Sequence, residues 1–259
     1  MRLLALVVLA AGLASGGAVR AQNPAPDAAD AAVPTRAVVD PKGVIELYTS
    51  QGCSSCPAAD ALLGRLAKRD DIIALSFSVD YWDYLGWKDT LANDKFSERQ
   101  RAYGQARGDG AIYTPQAVVN GATHANGSDE RQIDRLIERP GKAAPALPIS
   151  IRLAGEKGKL MIETGAAPPG VAAKEATLWL AVVSRSVEIP ITRGENQGRT
   201  ITYHNVVREL IPIGMWNGKP MTVQLERHSF MRPGADRCAV LLQQGKAGPI
   251  IGAAMLKQF

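Results

Sequence analysis

Cysteine is scarce in this sequence. Three residues in 259, Cys53, Cys56 and Cys238, are far too few to staple a fold together with disulfides. Histidine is equally thin: His124, His204 and His228 are widely scattered, and no second C-x-x-C completes a zinc site around the first. There is no run of Lys or Arg with interleaved aromatics. The formal charge of +5 includes Arg2 and Arg20, which lie in a segment read below as removed. Subtracting those two leaves about +3, too mild and dispersed to argue for nucleic acid. Past the N-terminus no apolar run approaches the length of a membrane span, and there is no internal repeat. What remains, 46% hydrophobic and 21% charged residues, is ordinary globular material with enough apolar mass for a packed core.

The N-terminus reads as a secretory signal peptide over residues 1–21. Arg2 is the positive start, Leu3 to Leu13 the apolar stretch, and Val19 and Ala21 the small residues that suit cleavage before Gln22. The stretch is too short for a bilayer core of roughly 30 Å, and no Cys follows it for lipid attachment. The expected location is therefore the periplasm or the exterior, with no membrane span after signal removal. Residues 22–41, rich in Ala, Pro and Asp, read as a flexible lead-in.

Two domains are expected after that, giving an α/β fold with a C-terminal all-β, sandwich-like domain. Over 42–140 the order is strand (43–49), helix (from Ser54 to about Lys68), strand (72–79), helix (93–107), strand (116–119), strand (122–125) and a last helix begun at Ser128. Asn120–Gly121 marks a tight hairpin between the last two strands. Pro57 fits only if the first helix has just begun. Pro, Ala and Gly between 141 and 148 read as a linker. Over 148–259 only short strands follow: 149–153, 160–163, 177–184, 200–210, 222–225, 238–243 and 250–256.

A C-x-x-C pair at a helix start has a chemical rationale. The first sulfur lies where free backbone N–H groups and the helix dipole favour a thiolate. The second, one turn on, is placed to attack a mixed disulfide. Cys53 is thus the candidate nucleophile and Cys56 the resolving thiol, with Ser54 and Ser55 able to donate to sulfur. No metal is assigned, although two thiolates could hold Cu(I), and a purely structural disulfide is a further reading.

Strand, Cys53–Ser54–Ser55–Cys56, helix, and later Thr114–Pro115 before a hairpin together resemble the thioredoxin superfamily. More closely, VIELYTSQGCSSCPAAD, VDYWDYLGWKD, YTPQAVVNG and RGENQGRTITYHNVVREL are similar to a family of exported bacterial thioredoxin-like proteins of uncharacterised function. The resemblance implies that Pro115 is cis and, with Thr114, helps hold an extended substrate backbone. It also implies that Glu46 helps move the proton of the resolving thiol, the alternative being a Glu46 that points to water. The insert Asp80–Trp87 departs from thioredoxin. Tyr81, Trp82 and Trp87 in it read either as a substrate-facing wall at the carboxyl end of the sheet or as a satellite core. Cys238 reads as a small buried core residue, the alternative being a regulatory or intermolecular thiol, and Arg193–Arg199 as a solvated polar hairpin, for which the resemblance implies docking on a partner or contact with the first domain.

The function expected is thiol–disulfide exchange on a protein or small-thiol substrate, or with a redox partner in the cell envelope. It needs no cofactor beyond the cysteine pair itself. The alternative is a non-catalytic binding or assembly module. Direction, reductase or oxidase or isomerase, is not encoded by the motif.

Overall fold

The computed structural model describes residues 37–38, 40–138, 146–171 and 174–259. The signal peptide, nearly all of the lead-in and most of the linker lie outside the described residues. The lead-in ends in structure: Ala37–Val38 is a short strand, β1.

Strand β2 (Gly43–Thr49) is buried along its whole length, and β3 (Ile72–Ser78) lies parallel to it, buried likewise. Between them runs α1 (Pro57–Leu66). The helix starts three residues later than the sequence suggested, because Pro57 is its first residue and Cys56 its N-cap. Asn93 caps α2 (Asp94–Arg107), its side chain accepting from the Lys95 amide, and Gly108 ends it in the left-handed conformation at φ 80°. Strands β4 (Gln116–Val119) and β5 (Thr123–Asn126) form a hairpin over Asn120, Gly121 and Ala122; Asn120 and Gly121 are at positive φ, and the Ala122 amide closes the turn on the Val119 carbonyl. Helix α3 (Glu130–Glu138) follows.

The second half supplies β6 (Ile151–Glu156), β7 (Lys159–Thr164), β8 (Ala176–Pro190), β9 (Thr200–Trp216), β10 (Met221–Glu226), β11 (Arg237–Gln244) and β12 (Ile250–Leu256). Every strand anticipated there is present, and β8 and β9 run to 15 and 17 residues. A one-turn helix, α4 (Arg227–Phe230), was not anticipated.

The architecture is mixed α/β, with one nine-stranded sheet in the order β1-β12-β11-β8-β9-β3-β2-β4-β5. A smaller sheet, β10-β7-β6, packs against it through Ile151, Leu160 and Ile162 on Leu178, Leu180 and Val240. The expected division into two domains does not divide the sheet. Strand β9 pairs in parallel with β3 at Ser76 and Val206, so the second half extends the first, and all described residues fall in one compact unit. The reason is physical: β3 without β9 would be an open, apolar edge, and pairing it removes that edge. Helices α1 and α3 cover one face of β2, β3 and β4, over Ile45, Leu47 and Ala74. Helix α2 covers the other, over Val44, Tyr48 and Phe77. Among the described residues no helix is long and apolar enough to cross a membrane.

Candidate functional site

Cys53 and Cys56 are joined by a disulfide, with Cα atoms 5.4 Å apart. They occupy the turn between β2 and α1. The Cys56 amide donates to the Cys53 carbonyl at 3.2 Å, and the Ala59 and Asp60 amides donate to the Cys56 carbonyl. Ser54 and Ser55 are exposed; the Ser55 hydroxyl lies 3.4 Å from Cys53 Sγ and, with no S–H in a disulfide, must be the donor.

The turn is held from two sides. Asp89 accepts the Gln51 amide at 2.8 Å and the Leu91 amide at 2.8 Å. Burial pushes the Asp89 carboxyl up to about 6. From the loop between β8 and β9, Asn196 donates to the carbonyls of Gln51 and Cys53, each at 2.9 Å, and is itself buried. Beside it, Glu195 accepts the Ser54 amide at 3.3 Å. The hairpin 193–199 is therefore docked on the cysteine turn and not simply solvated.

Beneath the turn lies Asp60, 2% exposed, on α1 one helical turn past Cys56. By geometry neither of its carboxylate oxygens has a hydrogen-bond partner among the described residues. Burial raises it to about 8; the nearby Thr49 hydroxyl pulls the other way but falls short of hydrogen-bond geometry, and the Asp89 charge adds to the rise. The Tyr203 hydroxyl of β9, also buried and without a partner among the described residues, is pushed up by burial and by the charges of Asp60 and Asp89. Three ionisable groups, from α1, β9 and the loop before α2, thus influence one another electrostatically near the cysteine turn.

Glu46 is not among them. Successive β2 residues face opposite sides, and Glu46 shares the α2 side with Val44 and Tyr48, away from α1. It accepts from Arg99 Nη2 at 2.8 Å and Nε at 3.2 Å, both residues buried. Arg99 also donates to Tyr103 and Gln243. The placement of Glu46 at the resolving thiol is corrected accordingly: it belongs to a buried ion pair across the sheet.

The Thr114–Pro115 bond is cis. The aromatic segment reaches the site through hydrogen bonds. Trp82 Nε1 donates to Thr114 Oγ1 at 2.8 Å, while its backbone and Cβ press against Gly52, where a Cβ would meet them at 3.1–3.2 Å. Trp87 Nε1 donates to the Gln51 side chain at 2.8 Å and packs with Leu91, Ile191 and Tyr203. Tyr81 donates to Gln100. These three are half-buried, whereas Tyr84, stacked on Trp82, is 77% exposed. Cys238 is a free thiol buried in β11, pushed up to about 12 by burial. No three His, Cys, Asp or Glu side chains among the described residues are grouped to hold a metal ion.

The family described as "Protein of unknown function (DUF1223)" matches residues 44–243, a span holding both the cysteine turn and the Asn196 loop that clamps it. The chain belongs to the DUF1223 family. A crystal structure of protein AGR_C_4864 from Agrobacterium tumefaciens is similar to it at 37% identity, with a TM-score of 0.72, over 83% of this chain and 94% of that one. No curated protein matches. In this DUF1223 chain the sequence pattern alone did not reveal Gln51, Asp60, Asp89 and Asn196 as site residues. Only Asp60 left a local signal, its i+4 spacing from Cys56 on an otherwise apolar helix face.

Proposed function

We propose that the protein is an exported thiol–disulfide oxidoreductase of thioredoxin-like type, exchanging disulfides with protein or small thiols through Cys53 and Cys56. The observation that carries the reading is the closed Cys53–Cys56 disulfide at the strand–helix junction above an unpartnered buried carboxyl. Supporting it is the arrangement β3-β2-β4-β5, with α1 and α3 on one face, α2 on the other, and Pro115 leading into the hairpin.

In the proposed reaction a substrate thiolate attacks Cys53 Sγ. The Cys53–Cys56 bond breaks, its electron pair goes to Cys56 Sγ, and Asp60 supplies the proton. Asp60 follows the N-cap Cys56 by four residues, and side chains so spaced along a helix share one face, which makes it the nearest acid in sequence for that role. A second substrate thiolate then attacks the substrate sulfur of the mixed disulfide. The substrate leaves oxidised, and the pair has gained two electrons. The reverse sequence reduces a substrate disulfide. Thr114, Trp82 and the exposed Tyr84 border the place where a substrate chain would lie.

The test uses the Cys56→Ala variant, in which a mixed disulfide through Cys53 has no resolving thiol. Incubated with envelope extract, it is expected to accumulate mixed disulfides that reductant releases, while wild type reduces insulin. Absence of both results would sink the reading. A second reading is favoured by one observation: Cys53 is only 3% exposed. In it the disulfide braces the turn, and the fold serves as a binding module of the envelope. That reading predicts a disulfide opened only after unfolding.

A further inference from the structure

On the side of the sheet away from the cysteines, α2 and strands β8 and β9 enclose a cleft of about 720 Å³. That volume suits a small organic ligand. Trp179, Phe96, Ala102 and Leu210 form the apolar part of its floor, beside the buried Arg99. Trp179 is held in place from one side: the Arg99 guanidinium lies 5.8 Å from its ring centre, and Arg99 is itself fixed by Glu46, Tyr103 and Gln243. The residue first placed at the thiols therefore braces this cleft. The Trp179 indole N–H is shielded from solvent and has no acceptor among the described residues.

The rim is unbalanced in charge. Lys95, Arg101, Arg208 and Lys246 line it, and all four are exposed. Among the described residues none of them forms an ion pair. Of the two rim carboxylates, Glu209 is already paired with Arg232 at 2.7 Å, leaving Glu98 against four cations. Cations that converge on an aromatic floor without internal partners select an anion with an apolar body, since a neutral ligand leaves the charges unanswered and a bare anion leaves the floor wet.

We propose that this cleft binds an amphipathic organic anion, a carboxylate or sulfonate whose apolar part lies on Trp179 and whose charge meets the basic rim. The site is independent of the cysteine pair. Calorimetric titration of the full chain with naphthalenesulfonate, and with the uncharged naphthalenemethanol, tests it. Saturable one-to-one binding of the sulfonate is expected, weakened about tenfold or more by Arg208→Glu with Lys246→Glu, in line with loss of two charge contacts. Both substituted residues are exposed, and an unchanged thermal melt confirms that the variant is folded. Sulfonate affinity unaltered in the variant, equal binding of the alcohol, or no saturation up to about a millimolar overturns the proposal.

Discussion

At the scale of single residues, Asp60 carries the sharpest consequence. In the folded chain it keeps its proton up to about pH 8, whereas its ordinary value is 3.8. Between those values the folded state binds the proton more tightly. Stability linked to this group is therefore full below the lower value and falls as pH rises through the upper one, by at most about 1.4 kcal/mol per unit. Asp60→Asn removes the dependence. In denaturant titrations its stability relative to wild type should climb steadily between about pH 5 and pH 8, and a flat difference would show an unperturbed carboxyl. Under the proposed exchange reaction the same variant should open its disulfide more slowly at neutral pH and lose the inflection near Asp60's titration. The resemblance to thioredoxin points to Glu46 for this role, and the strand that carries it is buried on both faces. With no polar face to orient it, alternation separates Glu46 from Leu47 but cannot say which of them looks at α1. Cys53, Cys56 and Cys238 were legible because their identities and immediate neighbours decide what they are.

At the scale of elements, the docked hairpin matters most. Asn196 reaches across 143 and 145 residues to the two carbonyls that shape the cysteine turn. Each of those bonds is worth about 1 kcal/mol net, and losing both leaves buried carbonyls without donors. Asn196→Ala should therefore loosen the turn and quicken reduction of the disulfide by dithiothreitol, about tenfold, with a small drop in melting temperature. An unchanged rate would mean the loop rests on the turn without restraining it. The polar composition of 193–199 announced a hairpin, but no local pattern states where a hairpin docks. The strands of the second half were readable, since alternation and turn residues are local, whereas the four-residue helix α4 is too short to leave a period. The start of α1 was misplaced by three residues because C-x-x-C spacing suggested a helix that Pro57 delays.

At the scale of the whole molecule, the joined sheet changes what the first half can do alone. Periodicity identifies strands but not partners, and the pairing of β3 with β9 links residues 130 positions apart. The core follows the sheet: Val44, Tyr48 and Phe77 share one cluster with Ala181, Val183, Val207 and Leu241. A fragment ending at residue 140 would expose that cluster and the β3 edge together, and an open apolar edge invites association. Such a fragment, carrying the complete cysteine motif, should elute as aggregate and melt without a cooperative transition, while the chain from residue 34 onward melts as one unit. A monomeric fragment with a sharp melt would show that the elements up to α3 are self-sufficient and that β6 to β12 are an addition to them. The aggregated outcome would mean that the strands after residue 148 are part of what holds the cysteine turn in place, through both the sheet and the Asn196 clamp.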